Sequence, residues 1–527
     1  MKQRDLKAIR IFFSLLFLAL ISLLFIDFRG FIPSGISDAI LYLQFVPSLL
    51  KFMHVLGIAA AGFIVIIIIN LLFGRVYCSA ICPLGGLQDI VSFIARKTGK
   101  KKMYRYAKPH NLLRYLFLAL PLIFIFFGGI FLVYLLDPYS IFGRIFSDLL
   151  RPVAIGINNV ISLVLKEVNI YSVPPYAYKH FSIVTAMFSA GTLGFIIWIS
   201  FSHGRLFCNS VCPVGTVLGL IARVSVFKIR IDRAACTKCA KCAIVCKASC
   251  IDIKNTSVDF SRCIGCYNCI KSCPDDAIYY SLSFGTKTVP APVQTDKSKR
   301  EFLVRSVIYL SGLLGLSRLV RSQPVNTGTG QLMPVIRENP VSPPGSKGLS
   351  HFNMNCTACH LCVTACPTSV LQPSFLEYGI TGMMQPHMDY KTSFCNYECT
   401  ICGEVCPTSA ILPLGKEDKK LTQIGRVHFI MNNCVVYTDN TACGSCSEHC
   451  PTQAVRMVPY PVPGKPDLNL TIPEIHPSTC IGCGACEYAC PVTPHKAIYV
   501  DGNKLHLMAE KPHFEELETE QQEEFPF

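Results

Sequence analysis

Of the 29 cysteines in this 527-residue chain, sixteen fall between residues 356 and 490 in four quartets, each closed by Cys-Pro. Cys356, Cys359, Cys362 and Cys366-Pro367 form a C-x2-C-x2-C-x3-C-P run, the pattern by which thiolates hold cubane iron–sulfur clusters. Cys480, Cys483, Cys486 and Cys490-Pro491 repeat it. Between them, Cys395, Cys399, Cys402, Cys406-Pro407 and Cys434, Cys443, Cys446, Cys450-Pro451 lengthen the first gap and keep the C-x2-C-x3-C-P ending. Soft thiolates select iron–sulfur clusters or zinc. Zinc ribbons use two C-x2-C pairs with a longer gap between them, and a disulfide framework demands no such regularity, so the quartets read as cubane ligands. Cys356-Thr-Ala-Cys359-His360 also matches the C-x-x-C-H haem-attachment pattern, but haem there would take two of the four cluster thiols.

Two further quartets lie upstream: Cys236, Cys239, Cys242, Cys246, then Cys263, Cys266, Cys269, Cys273-Pro274. Their closeness suits a two-cluster ferredoxin unit, in which the last cysteine of each run ligates the other cluster. That groups Cys236, Cys239 and Cys242 with Cys273, and Cys263, Cys266 and Cys269 with Cys246. Lys247 stands where the pattern has Pro, and the odd thiol Cys250 is assigned to packing. Six quartets predict six [4Fe-4S] clusters. The remaining thiols sit in a repeated motif: Gly74-Arg75-x-Tyr77-Cys78-x3-Cys82-Pro83-x-Gly85 recurs as Gly204-Arg205-x-Phe207-Cys208-x3-Cys212-Pro213-x-Gly215. Pro opens helices, so Cys82 and Cys212 are expected at helix starts, where thiolates are favoured. If the two halves pack about a pseudo-dyad, Cys78, Cys82, Cys208 and Cys212 converge as a metal or redox site. Reduced thiols filling a tight turn are the alternative left open.

The elements that must carry these motifs are of two kinds. At 51% hydrophobic residues the chain is too apolar for an ordinary soluble protein. Apolar runs over 11–26, 52–73, 112–136 and 181–201 predict membrane helices, with the segment around Pro47 interfacial or re-entrant. Lys and Arg before the first helix and over 96–108 place the N-terminus and that loop inside, whereas the weakly charged loop 137–180 faces outside. The net charge of +15 sits beside these segments, so it reports topology rather than nucleic-acid binding. A fifth apolar segment over 306–317 follows Ser298-Lys299-Arg300-x-Phe302-Leu303, which resembles a twin-arginine export signal with one Arg replaced. The expected domains are a four-helix membrane domain (1–230), a cytoplasmic two-cluster ferredoxin (231–285), a linker with the signal-like segment (286–350), a four-cluster periplasmic domain (351–505) and an acidic tail (506–527). The fold class is α-helical in the membrane, with duplicated helix pairs, plus α+β ferredoxin-like domains.

The paired Gly-Arg-x-Tyr/Phe-Cys-x3-Cys-Pro motifs followed by a two-cluster run resemble the NapH/MauN membrane ferredoxins and the polyferredoxin end of NosR. From Ser298 onward, the signal-like stretch and four quartets are similar to NapG/MauM. The resemblance implies a bacterial inner-membrane protein that oxidises quinol from the quinone pool and passes electrons to a periplasmic cytochrome or reductase. It also implies nested pairing of the quartets: Cys356, Cys359, Cys362 with Cys490; Cys480, Cys483, Cys486 with Cys366; Cys395, Cys399, Cys402 with Cys450; Cys434, Cys443, Cys446 with Cys406. The gaps are nearly equal, so the sequence leaves sequential pairing open. Ionisable groups at membrane depth are often functional, which makes His54, His180 and Asp137 candidates for the quinol site, with helix capping as the plain alternative. No nucleotide-binding glycine motif appears. The competing function is redox sensing or maturation of a periplasmic metalloenzyme.

Overall fold

The computed structural model describes residues 5–54, 61–98, 104, 106–176, 182–282, 332–462 and 469–512. Chain in hydrocarbon must satisfy its backbone polar groups internally, and the apolar first half does so with helices. Helices α1 (Leu6–Ile26) and α10 (Ile183–His203) are unbroken and lie close to the first and fourth expected spans. The third span is broken instead, and residues 55–60 of the second lie outside the described ones. Helices α2 (Ser34–Tyr42) and α3 (Phe45–His54) meet at a 105° bend, so the stretch around Pro47 turns back on itself. Helix α4 (Gly62–Phe73) then has only 12 residues. The expected third helix divides into α6 (Asn111–Phe126) and α7 (Phe131–Leu136).

The expectation of a loop over 137–180 is corrected. Helix α8 (Pro138–Ile145), a π turn (Phe146–Leu150) and α9 (Arg151–Glu167) together make an apolar helix of 30 residues. Arg144, Asp148 and Arg151 lower its hydropathy, but all three are buried against protein partners. Among the described residues, three helices are long and apolar enough to cross a membrane, or four if the bent pair counts as one. The segment 306–317 and its twin-arginine-like signal lie outside the described residues, as does the tail beyond 512.

The two motif repeats take the same local form. Gly74 and Gly204 adopt positive φ, the backbone that glycine accepts without a steric cost, and reverse the chain. Each is followed by a five-residue π turn (Tyr77–Ile81 and Phe207–Val211) and a helix with Pro at its first turn, α5 (Pro83–Lys97) and α11 (Pro213–Ala222).

Beyond the helices, the cluster-type runs sit in small α+β units, and the sheets among the described residues are two-stranded and antiparallel. Phe227–Ile231 pairs with Ile278–Leu282 around the upstream quartets, with Phe227 opposite Leu282. In the downstream domain, Thr422–Phe429 pairs with Ile498–Met508 and Val455–Pro461 with Asn469–Ile475. Short sheets suffice because the cysteines themselves form much of each core.

Candidate iron–sulfur centres

In the upstream domain, Cys246, Cys263, Cys266 and Cys269 line one cavity of about 320 Å³. Cys250 lines it too, with its Sγ 3.5 Å from that of Cys246. From the sequence Cys250 has a packing role beside the cluster, and its side chain stands at that wall. Cys236 and Cys239 lie near Cys242, and Cys273 packs on the edge of the same core.

In the downstream domain the nested pairing gives way to a sequential one. Cys356, Cys359 and Cys362 have Cys406 as their neighbour from another quartet, and Cys395, Cys399 and Cys402 have Cys366. Cys480, Cys483 and Cys486 gather around Cys450. Cys434, Cys443 and Cys446 share a cavity of about 370 Å³ with Cys490. Each short helix carrying a run packs on the helix of the next run, which delivers the fourth thiol from the immediate neighbour. The two units abut where the backbone N–H of Cys395 donates to the carbonyl of Cys483 (3.0 Å). The four groups therefore form a row: the Cys356 group, the Cys395 group, the Cys480 group and the Cys434 group.

These sites fit thiolate-held clusters by their donors. Backbone N–H groups donate to sulfur at Cys356 (from Ala358, 3.4 Å) and Cys406 (from Ile411, 3.4 Å), bonds that favour thiolate over thiol. Burial first, and then the neighbouring thiols, push the free thiols of Cys359 and Cys483 up to about 12. Binding iron is what makes them anionic.

The row starts against the helices. Gly143 of α8 lies under the Cys359 carbonyl and the Phe25 ring of α1, where a Cβ would come within 2.4 Å of that oxygen. His360, of the haem-like C-x-x-C-H stretch, places Nδ1 2.9 Å from Asp148 and Nε2 2.8 Å from the Met384 carbonyl, so both ring nitrogens are engaged away from any haem iron. Arg151 donates to the Thr364 carbonyl (2.9 Å), and the Tyr134 hydroxyl lies 2.9 Å from the Met383 carbonyl.

The upstream domain docks at the opposite end. Asp89 of α5 accepts from Arg10 (2.6 Å), Arg205 (2.9 Å) and Lys247 (3.0 Å). Lys247 thus explains the departure from Cys-Pro: its ammonium bridges to Asp89 while its carbonyl accepts the Arg205 N–H (3.0 Å). Phe73 stacks on Phe227, and Tyr280 donates to the Phe73 carbonyl (3.1 Å). Beside this dock a groove of about 1730 Å³, open at the side, runs between α1 and α5. Apolar Ile11, Leu15, Ile90 and Phe93 line it beside charged Lys7, Arg10, Asp89, Arg96, Lys97 and Lys247.

Asp137 is buried and accepts from the backbone N–H (2.9 Å) and hydroxyl (2.7 Å) of Ser140, as the N-cap of α8. His180 and the side chain of His54 lie outside the described residues. Cys78, Cys82, Cys208 and Cys212 share one buried cluster of side chains.

A family model described as "4Fe-4S binding domain" matches twice, over 55–101 and 185–232. A second of the same description matches 256–279, and a "4Fe-4S dicluster domain" matches 441–493. The dicluster match encloses the last three thiols of the third quartet and all of the fourth, in keeping with sequential pairing. The ferredoxin-type protein NapF of Escherichia coli (strain K12) is 28% identical over 163 residues, covering 31% of this chain and 87% of its own length. The methylamine utilization ferredoxin-type protein MauM of Methylobacillus flagellatus is 29% identical over 224 residues, 42% of this chain and 89% of its own. The putative electron transport protein YccM of Escherichia coli (strain K12) is 26% identical over 219 residues, 40% of this chain and 51% of its own. No solved structure matches. The chain therefore carries 4Fe-4S domains similar to those of ferredoxin-type proteins, joined to helices long and apolar enough to span a membrane.

Proposed function

We propose that the protein is a membrane-bound electron carrier that oxidises quinol in the bilayer and delivers electrons to a soluble acceptor at the far end of the downstream domain. The observation that carries this reading is the groove between α1 and α5. Its apolar side chains suit the isoprenoid tail and ring face of a quinol entering from lipid, and its polar ones suit the two quinol hydroxyls. Lys7 stands within electrostatic reach of Cys266 in the upstream domain. Quinol oxidation releases two electrons and two protons, and bound clusters supply one-electron chemistry next to the groove. The chain's own part is placement: Asp89 holds Arg10 and Lys247 in the groove, and the row of four thiol groups leads away from the helices at the other end. The last group of the row keeps Cys443 and Cys446 partly exposed, where an acceptor such as a cytochrome or reductase could approach. In this reading the upstream domain faces the cytoplasm and the downstream one the periplasm, and the groove replaces the His54 and His180 region as the quinol site.

Leu15→Trp fills the groove from its lipid side without touching a thiol. Visible bleaching by a short-chain quinol should slow at least ~10-fold, a loss of about 1.4 kcal/mol in transition-state stabilisation, while dithionite bleaching and iron content stay as in the parent. Equal quinol rates in both proteins would remove the groove from the reaction. No quinol-dependent bleaching in the parent would favour the maintenance role instead.

A further inference from the structure

Arg10, Arg75, Arg114 and Arg205 of the helical domain and Lys247 of the upstream domain are buried where the two meet, and Arg75 and Arg114 share the Ser261 carbonyl. Arg75 and Arg205 are wholly buried, Arg10 and Lys247 nearly so, and Asp89 is the one acidic side chain that pairs with any of them among the described residues. Arg75 has no carboxylate partner among the described residues. Its donors go to Asn209 Oδ1 (2.7 Å), the carbonyls of Cys208 (3.0 Å) and Ser261 (3.2 Å), and toward Cys78 Sγ at 3.7 Å. Arg205 answers it across the repeat, donating to the Cys78 carbonyl (3.1 Å) with Nη1 4.0 Å from Cys208 Sγ. Each arginine thus touches its own motif's first thiol and the other motif's backbone. The glycines after each Cys-x3-Cys-Pro make room for it: a Cβ on Gly85 would meet Arg205 at 2.7 Å, and one on Gly215 would meet Arg75 at 2.9 Å. Buried charge of this kind calls for anions close by, and Arg75 stands between Cys263 of the upstream domain and Cys78 of its own motif.

The thiols supply the place for one. Cys82 and Cys212 cap the starts of α5 and α11, and the Gly215 N–H donates to Cys212 Sγ (3.3 Å). The 4Fe-4S family model matches each repeat, yet each repeat brings two cysteines, half of a cluster's four ligands.

The depth of the site follows from α1. Arg10 meets Asp89 at the upstream dock, and Phe25 meets Gly143 and Cys359 at the downstream one; fifteen residues of helix put these about 22 Å apart. Gly86, one turn past Cys82, packs on Ser14 and Leu18, so the thiols stand between the two docks. Tyr77, beside Cys78, reaches the Gln44 and Phe45 bend from the other side.

We propose that Cys78, Cys82, Cys208 and Cys212 together hold one further [4Fe-4S] cluster, shared between the two repeats, with Arg75 and Arg205 as its counter-charges. It serves as the relay across the helical domain: it takes one electron from a reduced cluster of the upstream domain, which is oxidised, and gives that electron to an oxidised cluster held by the Cys356 group. No proton need move. The role rests on the electron-carrier reading, but the site itself is tested without quinol. In full-length protein purified anaerobically, Cys82→Ser/Cys212→Ser should lower iron and sulfide by about four each per chain and remove one signal from the electron paramagnetic resonance redox titration, leaving the signals of both ferredoxin domains. Unchanged iron, sulfide and spectra would overturn the proposal. Because the double variant acts in a packed core, two measurements stand beside it. Arg75→Gln should keep the iron and lower the midpoint potential of that one signal; a potential that does not move removes the counter-charge role. Denaturing the parent in an alkylating agent without reductant should label all four cysteines as free thiols, and a disulfide among them would overturn the cluster outright.

Discussion

Asp89 is one carboxylate holding three cations, and its loss should cost more than any other single acidic side chain in the helical domain. Removing it leaves Arg10, Arg205 and Lys247 buried without a counter-charge, a change worth about 3–5 kcal/mol when one partner of a buried pair is lost. Asp89→Ala should therefore lower the thermal unfolding midpoint in detergent sharply and release the upstream domain to limited proteolysis. Asp38→Ala, which removes a half-exposed partner of Lys51, should cost no more than about 1 kcal/mol. A midpoint in the Asp89 variant equal to that of the Asp38 variant would show that the three cations find water instead. Lys247 was visible in the sequence only as a breach of the Cys-Pro rule. Its purpose was not legible there, because Asp89 lies 158 positions away and nothing local marks it as a partner.

At the scale of elements, the strand Ile498–Met508 ties the end of the downstream domain to its beginning. Gly348 bridges to Leu505, the His506 N–H donates to the Lys347 carbonyl (3.0 Å), and the His506 ring meets the Ser342 hydroxyl (2.8 Å). Burial lowers this histidine to about 4, against about 6.5 in an open chain. Between those values the unfolded chain binds the proton and the folded one does not, so stability rises with pH across the window and is lost on acidification from 6.5 to 4. The effect amounts to at most about 3 kcal/mol. His506→Gln should flatten that part of the stability profile of the intact protein, measured by chemical denaturation at pH 4.5 and 7; an unaltered slope would assign the acid sensitivity elsewhere. The same scale shows why spacing was readable and pairing was not. A C-x2-C-x2-C run is a local loop that spacing alone identifies, whereas the donor of the fourth thiol is chosen by which short helices pack, and nearly equal gaps gave no preference. Helix 138–167 was missed for a related reason: its charges are satisfied by His360 and Thr364, more than 200 positions downstream, so they read as solvent-facing in the sequence.

For the whole molecule, the two docks decide whether the row of thiol groups is connected to the helical domain at all. The downstream dock is polar at its rim and tight at its centre: Asp148 holds His360, Arg151 holds the Thr364 carbonyl, and Phe25 and Gly143 close on the Cys359 backbone. None of these side chains is a cluster ligand. Taking out both rim contacts with Asp148→Ala/Arg151→Met leaves the His360 ring buried without its partner, a penalty of about 1–3 kcal/mol that separation of the dock relieves. The weakened dock should lengthen the gap from the helical domain to the Cys356 group while every thiol keeps its neighbours. Iron content should hold, and after rapid mixing with quinol the upstream clusters should reduce at the parental rate while those of the downstream domain lag by at least ~10-fold in freeze-quenched spectra. If both sets lag equally, electrons enter from the downstream side and the groove at α1 and α5 is not the point of entry. If neither lags, the Cys356 group is not where the row receives them, and the order from the helices outward to the Cys434 group must be reversed.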